Sequence, residues 1–165
     1  MDRKLLPPAV ALVAILLLVP LTGCTVNEVD PMEPDEPGPD AITMTVSAPD
    51  VHKVTREAGE VWDATMDIVA IDPDTAQVKW IELSITVKTW DGSLALPATQ
   101  PSKDSGLYGT SPEVWYQEGS GDEELATAGD VIRITSMDQT FEGGQVLLVR
   151  AGEVLGTADL PDVFW

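Results

Sequence analysis

The chain has 165 residues, with 28 acidic against 9 basic side chains and a formal net charge of -19 at pH 7. Such a charge repels nucleic-acid phosphates, which excludes nucleic acid as a partner, and it suits a high-salt medium that screens self-repulsion. The single cysteine excludes an intramolecular disulfide, so the fold must rest on an apolar core.

The first predicted element is an export signal. Arg3 and Lys4 form a short basic region, and residues 5–18, LLPPAVALVAILLL, are apolar throughout. This run has the length of a signal-peptide core and is shorter than the roughly 20 residues that a membrane-spanning helix needs. Residues 1–23 are therefore predicted to be a signal peptide.

A short motif follows the apolar run. Leu21-Thr22-Gly23-Cys24 resembles the lipobox of prokaryotic lipoproteins, in which an aliphatic residue and two small residues precede a lipidated cysteine. The resemblance implies that Leu21, Thr22 and Gly23 are recognised by the signal peptidase and that Cys24 becomes the lipidated N-terminus. A thiol is nucleophilic enough to take a diacylglyceryl group, and two or more acyl chains anchor a protein stably. The alternative is an incidental Cys24, with the leader cleaved elsewhere or retained as an uncleaved anchor.

Residues 24–41 are predicted to be a disordered acidic tether. The stretch TVNEVDPMEPDEPGPDA carries six acids and no base, and its four prolines preclude helix and sheet. Proline-rich chains extend by about 3.1 Å per residue, and like charges extend them further. The tether is expected to hold the following domain some tens of ångströms from the membrane. An acidic docking motif or a cation-binding tract is the alternative.

From residue 42 onward, apolar and polar residues alternate with the period of two that is typical of half-buried strands. The alternating segments are residues 42–48, 62–71 and 78–90. In the second segment the predicted buried face comprises Trp62, Ala64, Met66, Ile68 and Ala70, opposite Asp63, Thr65 and Asp67. In the third segment it comprises Ile81, Leu83, Ile85 and Val87. Turns are predicted at residues 72–74 and at Asp91-Gly92.

The pattern weakens between residues 93 and 129. Residues 95–113, ALPATQPSKDSGLYGTSPE, are rich in Pro, Gly and Ser and are predicted to be loop, followed by a short strand near residues 114–116. Long loops often carry binding surfaces, so we expect one here. Further strands are predicted at residues 131–136, 145–151 and 154–160, with turns near residues 142–144 and 152–153.

These segments predict an all-β domain over residues 42–165. Short strands separated by turn signals favour an antiparallel two-layer β-sandwich, immunoglobulin-like in architecture, with a barrel as the alternative. The expected core comprises Trp62, Trp80 or Ile81, Leu83, Ile85, Val87, Ile132, Ile134, Val146, Leu148 and Val154.

The segments WIELSITVKTWDGS, AGDVIRITS and GGQVLLVRAGEVLGTADLP resemble the β-sandwich ectodomain of archaeal type IV pilin-like secreted proteins. There, a strand ending in Asp-Gly is followed by Gly-Asp, another strand and a closing hairpin ending in Leu-Pro. The resemblance covers about half of the domain and implies a sandwich fold and a role as accessory subunit of a surface filament or secretion apparatus. The chain departs from that family at its N-terminus, where such pilins carry a long packing helix.

The residues favour a protein that is not an enzyme and has no cofactor. His52, the only histidine, has no neighbouring cysteine and no Gly-x-Ser-x-Gly elbow whose nucleophile it could activate as a base. It is predicted to lie on the surface. A zinc or copper site would require several His or Cys ligands. Residues 72–77 and 121–124 offer oxygen ligands for calcium, but without the spacing of a calcium loop, so no metal site is predicted.

Exposed aromatic residues remain as candidates for binding. Trp90, Tyr108, Trp115 and Tyr116 lie in or near loops, as does Trp165 at the C-terminus, and such rings stack on sugars or pack on protein partners. The alternative is that each ring packs on the rim of the sandwich. The chain is thus expected to be a lipid-anchored protein of the cell envelope that faces outward, extracellular or periplasmic, with envelope proteins or glycans as partners.

Overall fold

The computed structural model describes residues 41–57, 59–119, 121 and 124–165, and this part of the chain forms two packed β-sheets. The prediction of an all-β sandwich is confirmed; its immunoglobulin-like character stays a prediction. The strands are β1 (Thr43–Val46), β2 (Asp50–Arg56), β3 (Gly59–Asp72), β4 (Leu83–Lys88), β5 (Leu94–Thr99), β6 (Ser102–Lys103), β7 (Glu113–Gln117), β8 (Val131–Met137), β9 (Gln145–Arg150) and β10 (Glu153–Asp159). Two 3-10 turns, Trp80–Glu82 and Gln139–Phe141, precede β4 and β9.

The first sheet has the order β1-β3-β8-β7-β6, and β2 also pairs with β3. The long strand β3 has two partners along one edge, because β2 pairs with residues 59–65 and β1 with residues 68–72. Its other edge pairs with β8. All of these pairs are antiparallel except the short parallel pair β6–β7. Strand β3 therefore runs the length of the sheet and pairs with three of its strands.

The second sheet has the order β10-β9-β4-β5 and is antiparallel throughout. The inward faces of both sheets form one apolar core. Most of the predicted core residues are buried in it, and the fully buried ones include Leu83, Ile85, Val87, Ile132, Ile134, Val146 and Leu148.

Two predicted core residues are instead exposed. Ile81 is 74% exposed because it lies in the first 3-10 turn, where the strand period does not apply, and Trp80 is the residue that turns inward. Val154 is 53% exposed because the register of the β9–β10 pair shifts between Val154 and Gly156, which brings Leu155 to the buried face.

Ala70 is a third departure from the alternation. It is exposed, whereas the pattern of β3 predicts it on the buried face. The pairing of β1 with β3 shifts between Thr45 and Val46, so the alternation changes phase after Ile68 and Ile71 packs against the core instead.

The prediction that residues 95–113 are loop is wrong in part. They contain most of β5 and all of β6. Pro97 is tolerated in β5 because β5 is an edge strand of its sheet, where a missing backbone donor leaves few hydrogen bonds unmade. Strand β2 is a further element that the alternation did not indicate. The predicted strand at residues 114–116 is confirmed as part of β7.

The sandwich has two ends. At the N-terminal end the chain enters β1, with Thr43 paired to Asp72, and crosses from β3 to β4. At the opposite end, named here the distal end, β8 gives way to β9 and β4 turns into β5. The rings of Trp62 and Phe164 also meet at the distal end, with centroids 5.8 Å apart. The chain therefore enters the domain at the end remote from the β4–β5 turn.

Candidate functional site

The four aromatic residues predicted to face a ligand lie in three different surroundings. Tyr108 packs edge-on against Trp115, with ring centroids 5.7 Å apart. Tyr116 stacks on Trp80, with centroids 4.3 Å apart and an interplanar angle of 12°. Trp90 lies in the β4–β5 turn at the distal end and is 81% exposed. These residues therefore do not form one continuous patch.

Tyr108 fastens the β6–β7 connection to the outer face of the first sheet. Its hydroxyl lies 2.9 Å from each carboxylate oxygen of Asp104, to which it donates, and accepts a hydrogen bond of 2.9 Å from the guanidinium of Arg133. The guanidinium carbon of Arg56 lies 4.6 Å from the centroid of the Tyr108 ring, close enough for a cation–π contact. We name this set of four residues, together with Trp115, the tyrosine clasp.

A buried ion pair adjoins the tyrosine clasp. Nη2 of Arg56 lies 2.9 Å and 2.7 Å from the two carboxylate oxygens of Asp63, whose side chain is only 3% exposed. Asp63 also accepts a hydrogen bond of 3.1 Å from the backbone N–H of Ser136. Ser136 has a positive φ of 56° where β8 has two residues opposite one of β3. The alternation puts Asp63 opposite the apolar face of β3, and the ion pair and the bulge bury it there.

Burial of Tyr108, followed by its hydrogen bond to Asp104, raises the pKa of the phenol above its ordinary value of 10.0. The hydroxyl thus keeps its proton at physiological pH and can donate to Asp104. The hydroxyl of Tyr108, the carboxylate of Asp104 and the guanidinium of Arg133 are joined by hydrogen bonds, so the clasp acts as a fastening. An open cavity of about 770 Å³ beside it is lined by Thr55, Arg56, Glu57, Gly106, Leu107, Tyr108, Gly109, Thr110 and Glu113.

Trp80 and Tyr116 form the inner wall of a smaller cavity near the N-terminal end. Trp80 is 3% exposed, and its backbone N–H donates a hydrogen bond of 3.1 Å to the carbonyl of Glu124. Tyr116 is partly buried and packs against the core. Both rings therefore serve mainly as packing. The cavity, of about 320 Å³, is lined by Lys79, Trp80, Ile81, Tyr116 and Glu124.

Trp90 differs because a rigid turn presents it to solvent. The N–H of Gly92 donates to the carbonyl of Thr89, and the N–H of Thr89 donates to the carbonyl of Ser93, each at 2.9 Å. Gly92 has a φ of 84°, which glycine adopts without strain. Asp91 accepts hydrogen bonds from the side chain of Thr89 and from both the N–H and the hydroxyl of Ser93. The indole therefore stands on a turn that is ordered before any ligand arrives.

The same hydrogen bonds hold Asp91 in its charged form. The bond from the Thr89 hydroxyl, followed by those from Ser93, lowers the pKa of Asp91 from 3.8 to about 2. A carboxylate that accepts several hydrogen bonds is stabilised as the anion. The turn thus presents a fixed negative charge beside the indole at every physiological pH.

The facing wall of the Trp90 cavity comes from the second 3-10 turn. Asp138 accepts hydrogen bonds from the N–H and the hydroxyl of Thr140, and Phe141 of the same turn is buried in the core. Gln139 and Thr140 are exposed at this position. The cavity measures about 420 Å³ and is lined by Thr89, Trp90, Asp91, Ser93, Leu94, Ala95, Gln139 and Thr140.

The sequence patterns indicated Trp90 and the turn at Asp91-Gly92, but not the wall that faces them. Gln139 and Thr140 lie far from Trp90 along the chain, and only the crossing from β8 to β9 brings them to it. The motif Asp138-Gln139-Thr140 after a strand is a recognisable capping signal, since an Asp side chain often accepts from the N–H two residues later. That signal predicts a turn and gives no indication of a site.

The remaining predicted residues are dispersed. His52 is exposed on β2, as predicted, and Trp165 is 90% exposed at the C-terminus. Asp72 and Asp74 are exposed around the β3–β4 connection, and Asp122 and Glu123 of the second calcium candidate lie outside the described residues. In the part of the chain that the structure describes, no three His, Cys, Asp or Glu side chains are grouped so that they could hold a metal ion.

Cys24 and the lipobox residues Leu21, Thr22 and Gly23 lie outside the described residues, as do the predicted signal peptide and nearly all of the tether. Among the helices of the described part, none has the length and apolar character required to cross a membrane. The predicted lipid attachment at Cys24 stays a prediction.

Comparison with known proteins assigns the chain to no family. No protein-family model, curated protein or solved structure matches it. Its function must therefore be inferred from its own chemistry. The features that bear on function are the lipobox-like motif, the tyrosine clasp and the open indole at the distal end.

Proposed function

We propose that the chain is a lipid-anchored, non-enzymatic protein of the cell envelope that displays its β-sandwich as a binding module outside the membrane. The observation that carries this proposal is the position of Trp90: a rigid turn exposes its indole at the distal end, remote from the point where the chain enters the domain. A large apolar ring on a fixed turn favours contact with a partner.

The N-terminal motif supplies the anchor of this proposal. Lipidation of Cys24 would attach the chain to the outer side of a membrane, and the acidic residues of the tether would be repelled by anionic head groups. Because β1 begins at the N-terminal end of the sandwich, the distal end lies at the end of the domain remote from Thr43. A binding site at the distal end would be accessible to partners outside the cell.

The distribution of the aromatic residues supports a binding module over a filament subunit. A contiguous exposed apolar patch marks a surface through which subunits assemble. Here Trp90 and Leu94 line one cavity, Leu107 another and Ile81 a third, each among polar groups. Separate cavities suit small ligands better than a flat interface between subunits.

The anchor is tested by replacing Cys24 with Ser in the native host and fractionating the cells. We expect the native protein in the membrane pellet, with a mass that includes diacylglycerol on Cys24, and the Cys24→Ser variant in the soluble fraction. Thr22→Ser, which keeps a small residue in the motif, is the matched control and should remain in the pellet. An unmodified Cys24 thiol, or a Cys24→Ser variant that still pellets with its leader intact, would contradict the lipid anchor.

The binding role is tested with the anchored native protein. Beads carrying it should retain an envelope component that beads carrying a Trp90→Ala variant do not retain. A folded native protein that retains nothing from envelope extracts would argue against a binding module.

A further inference from the structure

The flat face of Trp90 suits one class of ligand. An exposed indole offers a rigid apolar surface, and the C–H face of a sugar ring stacks on such a surface. Trp90 is 81% exposed, whereas Trp62 and Phe164 at the same end of the domain pack on each other. The indole of Trp90 is thus open for stacking.

The groups around the indole can pair with sugar hydroxyls. Gln139 carries an amide with two donors and an acceptor. The hydroxyls of Thr89 and Ser93 donate to Asp91 and that of Thr140 donates to Asp138, so these hydroxyls can still accept hydrogen bonds from a ligand. Asp91 adds carboxylate acceptors. Trp90, Leu94 and Ala95 supply apolar surface beside these polar groups, and the volume of this open cavity, about 420 Å³, lies within the usual range of small-ligand sites.

The charge at the distal end excludes acidic ligands. Asp91 lies in the cavity, and Asp138 caps the turn that carries Gln139 and Thr140. Gly143 lies beside both Trp90 and Asp162, which brings a third carboxylate close. The whole chain carries -19 charges, so a sulfated or uronic-acid glycan would be repelled. A neutral sugar is not repelled by these charges.

The cavity walls are ordered in advance. Backbone hydrogen bonds fix the Thr89–Ser93 turn, and the cap at Asp138 together with the buried ring of Phe141 fixes the opposite wall. A preformed site loses little conformational entropy when a ligand binds.

We infer that the cavity beside Trp90 binds a neutral carbohydrate, by stacking of a hexose ring on the indole and hydrogen bonds to Asp91, Gln139 and the surrounding hydroxyls. This inference rests on the proposed function, because it names the ligand of the binding module.

The test uses the full-length chain in detergent and titrates it with neutral hexaoses of glucose and mannose. Heparin and polygalacturonate are the anionic counterparts. We expect a neutral hexaose to bind and to reduce acrylamide quenching of tryptophan fluorescence in the native chain but not in Trp90→Ala. Trp90→Ala should weaken binding at least tenfold, and Gln139→Ala should weaken it by a smaller factor. Trp165→Ala is the matched control, since Trp165 is equally open but does not line the cavity, and it should bind as the native protein does.

The results separate this inference from the proposed function. Absence of neutral-sugar binding, equal binding by Trp90→Ala, or equally tight binding of the anionic polymers would overturn the carbohydrate site. If the Trp90→Ala variant loses a captured envelope protein and not a sugar, the carbohydrate site is also overturned. The anchored binding module would still be supported. Sugar binding that depends on Trp90, together with a Cys24 that carries no lipid, would support the site and refute the anchor.

Discussion

The tyrosine clasp and the Trp90 turn both place aromatic residues in connections between strands, yet their surroundings are opposite. Tyr108 is contacted by Arg56, Asp104, Arg133 and Trp115, and its hydroxyl both donates and accepts. The polar groups around Trp90 bind one another and leave the indole 81% exposed. An aromatic residue in a loop therefore acquires its role from its neighbours, and the exposed ring rather than the well-bonded one is the candidate for recognition.

The largest effect on stability is expected in the clasp. Arg56→Leu would leave the carboxylate of Asp63 buried without its guanidinium, and breaking a buried ion pair costs about 3 to 5 kcal/mol of unfolding free energy. Urea denaturation measures the loss. Lys53→Leu on the same strand is the matched control, because the side chains of Lys53 and Glu60 are 43% and 63% exposed, and it should cost less than about 1 kcal/mol. Equal losses in the two variants would show that the clasp is not stabilising.

A smaller loss is expected when only the hydroxyl of the clasp is removed. Tyr108→Phe keeps the ring but deletes the hydrogen bonds to Asp104 and Arg133. Hydrogen bonds to charged groups contribute about 1.5 to 3 kcal/mol each, and the new exposure of Asp104 and Arg133 to water should limit the net loss to about 2 kcal/mol. Hydrogen exchange of the amides at residues 104–110 should accelerate in the variant. Unchanged exchange there would contradict the fastening role of Tyr108.

Trp90→Ala should change the unfolding free energy by less than about 0.5 kcal/mol, because an exposed side chain makes few native contacts. Thermal denaturation of the native protein and the variant provides the comparison. A loss above about 2 kcal/mol would mean that Trp90 is a packing residue, and the contrast between the two regions would disappear.

The smallest expected effect is the titration of Asp91. The pKa of its carboxyl is lowered from 3.8 to about 2, so the stability that it contributes is complete above 3.8 and is lost as the pH falls through about 2. Carboxyl chemical shifts followed by NMR should show this low midpoint. Thr89→Val removes the largest cause and should move the midpoint toward 3.8. A midpoint that does not move would assign the shift to other groups.

The sequence predicts the fold best where alternation is strict. Apolar residues alternate regularly within strands β4 and β8. Their core residues Leu83, Ile85, Ile132 and Ile134 are buried as predicted. The failures occur where the period breaks. A 3-10 turn exposes Ile81, and register shifts expose Ala70 and Val154. Such shifts depend on the partner strand, which the local pattern does not specify.

Only the part of the candidate site that is formed by residues adjacent in sequence could be predicted. Trp90 and its turn follow from adjacent residues, whereas Gln139 and Thr140 reach the cavity through the connection between the two sheets. The burial of Asp63 depends on Arg56 and on the bulge at Ser136, which are also contributions from other strands. Features formed by residues from separate strands can be located only when the tertiary fold is known.

The entry of the chain at the end opposite Trp90 has a mechanical consequence. A force applied between Trp90 and Thr43 would pull β1 along its own axis, antiparallel to β3. The backbone hydrogen bonds of that pair stand perpendicular to such a force, so they would have to shear together instead of opening one after another. The β1–β3 pair is therefore arranged to resist a force applied between the distal end and the point where the chain enters the domain.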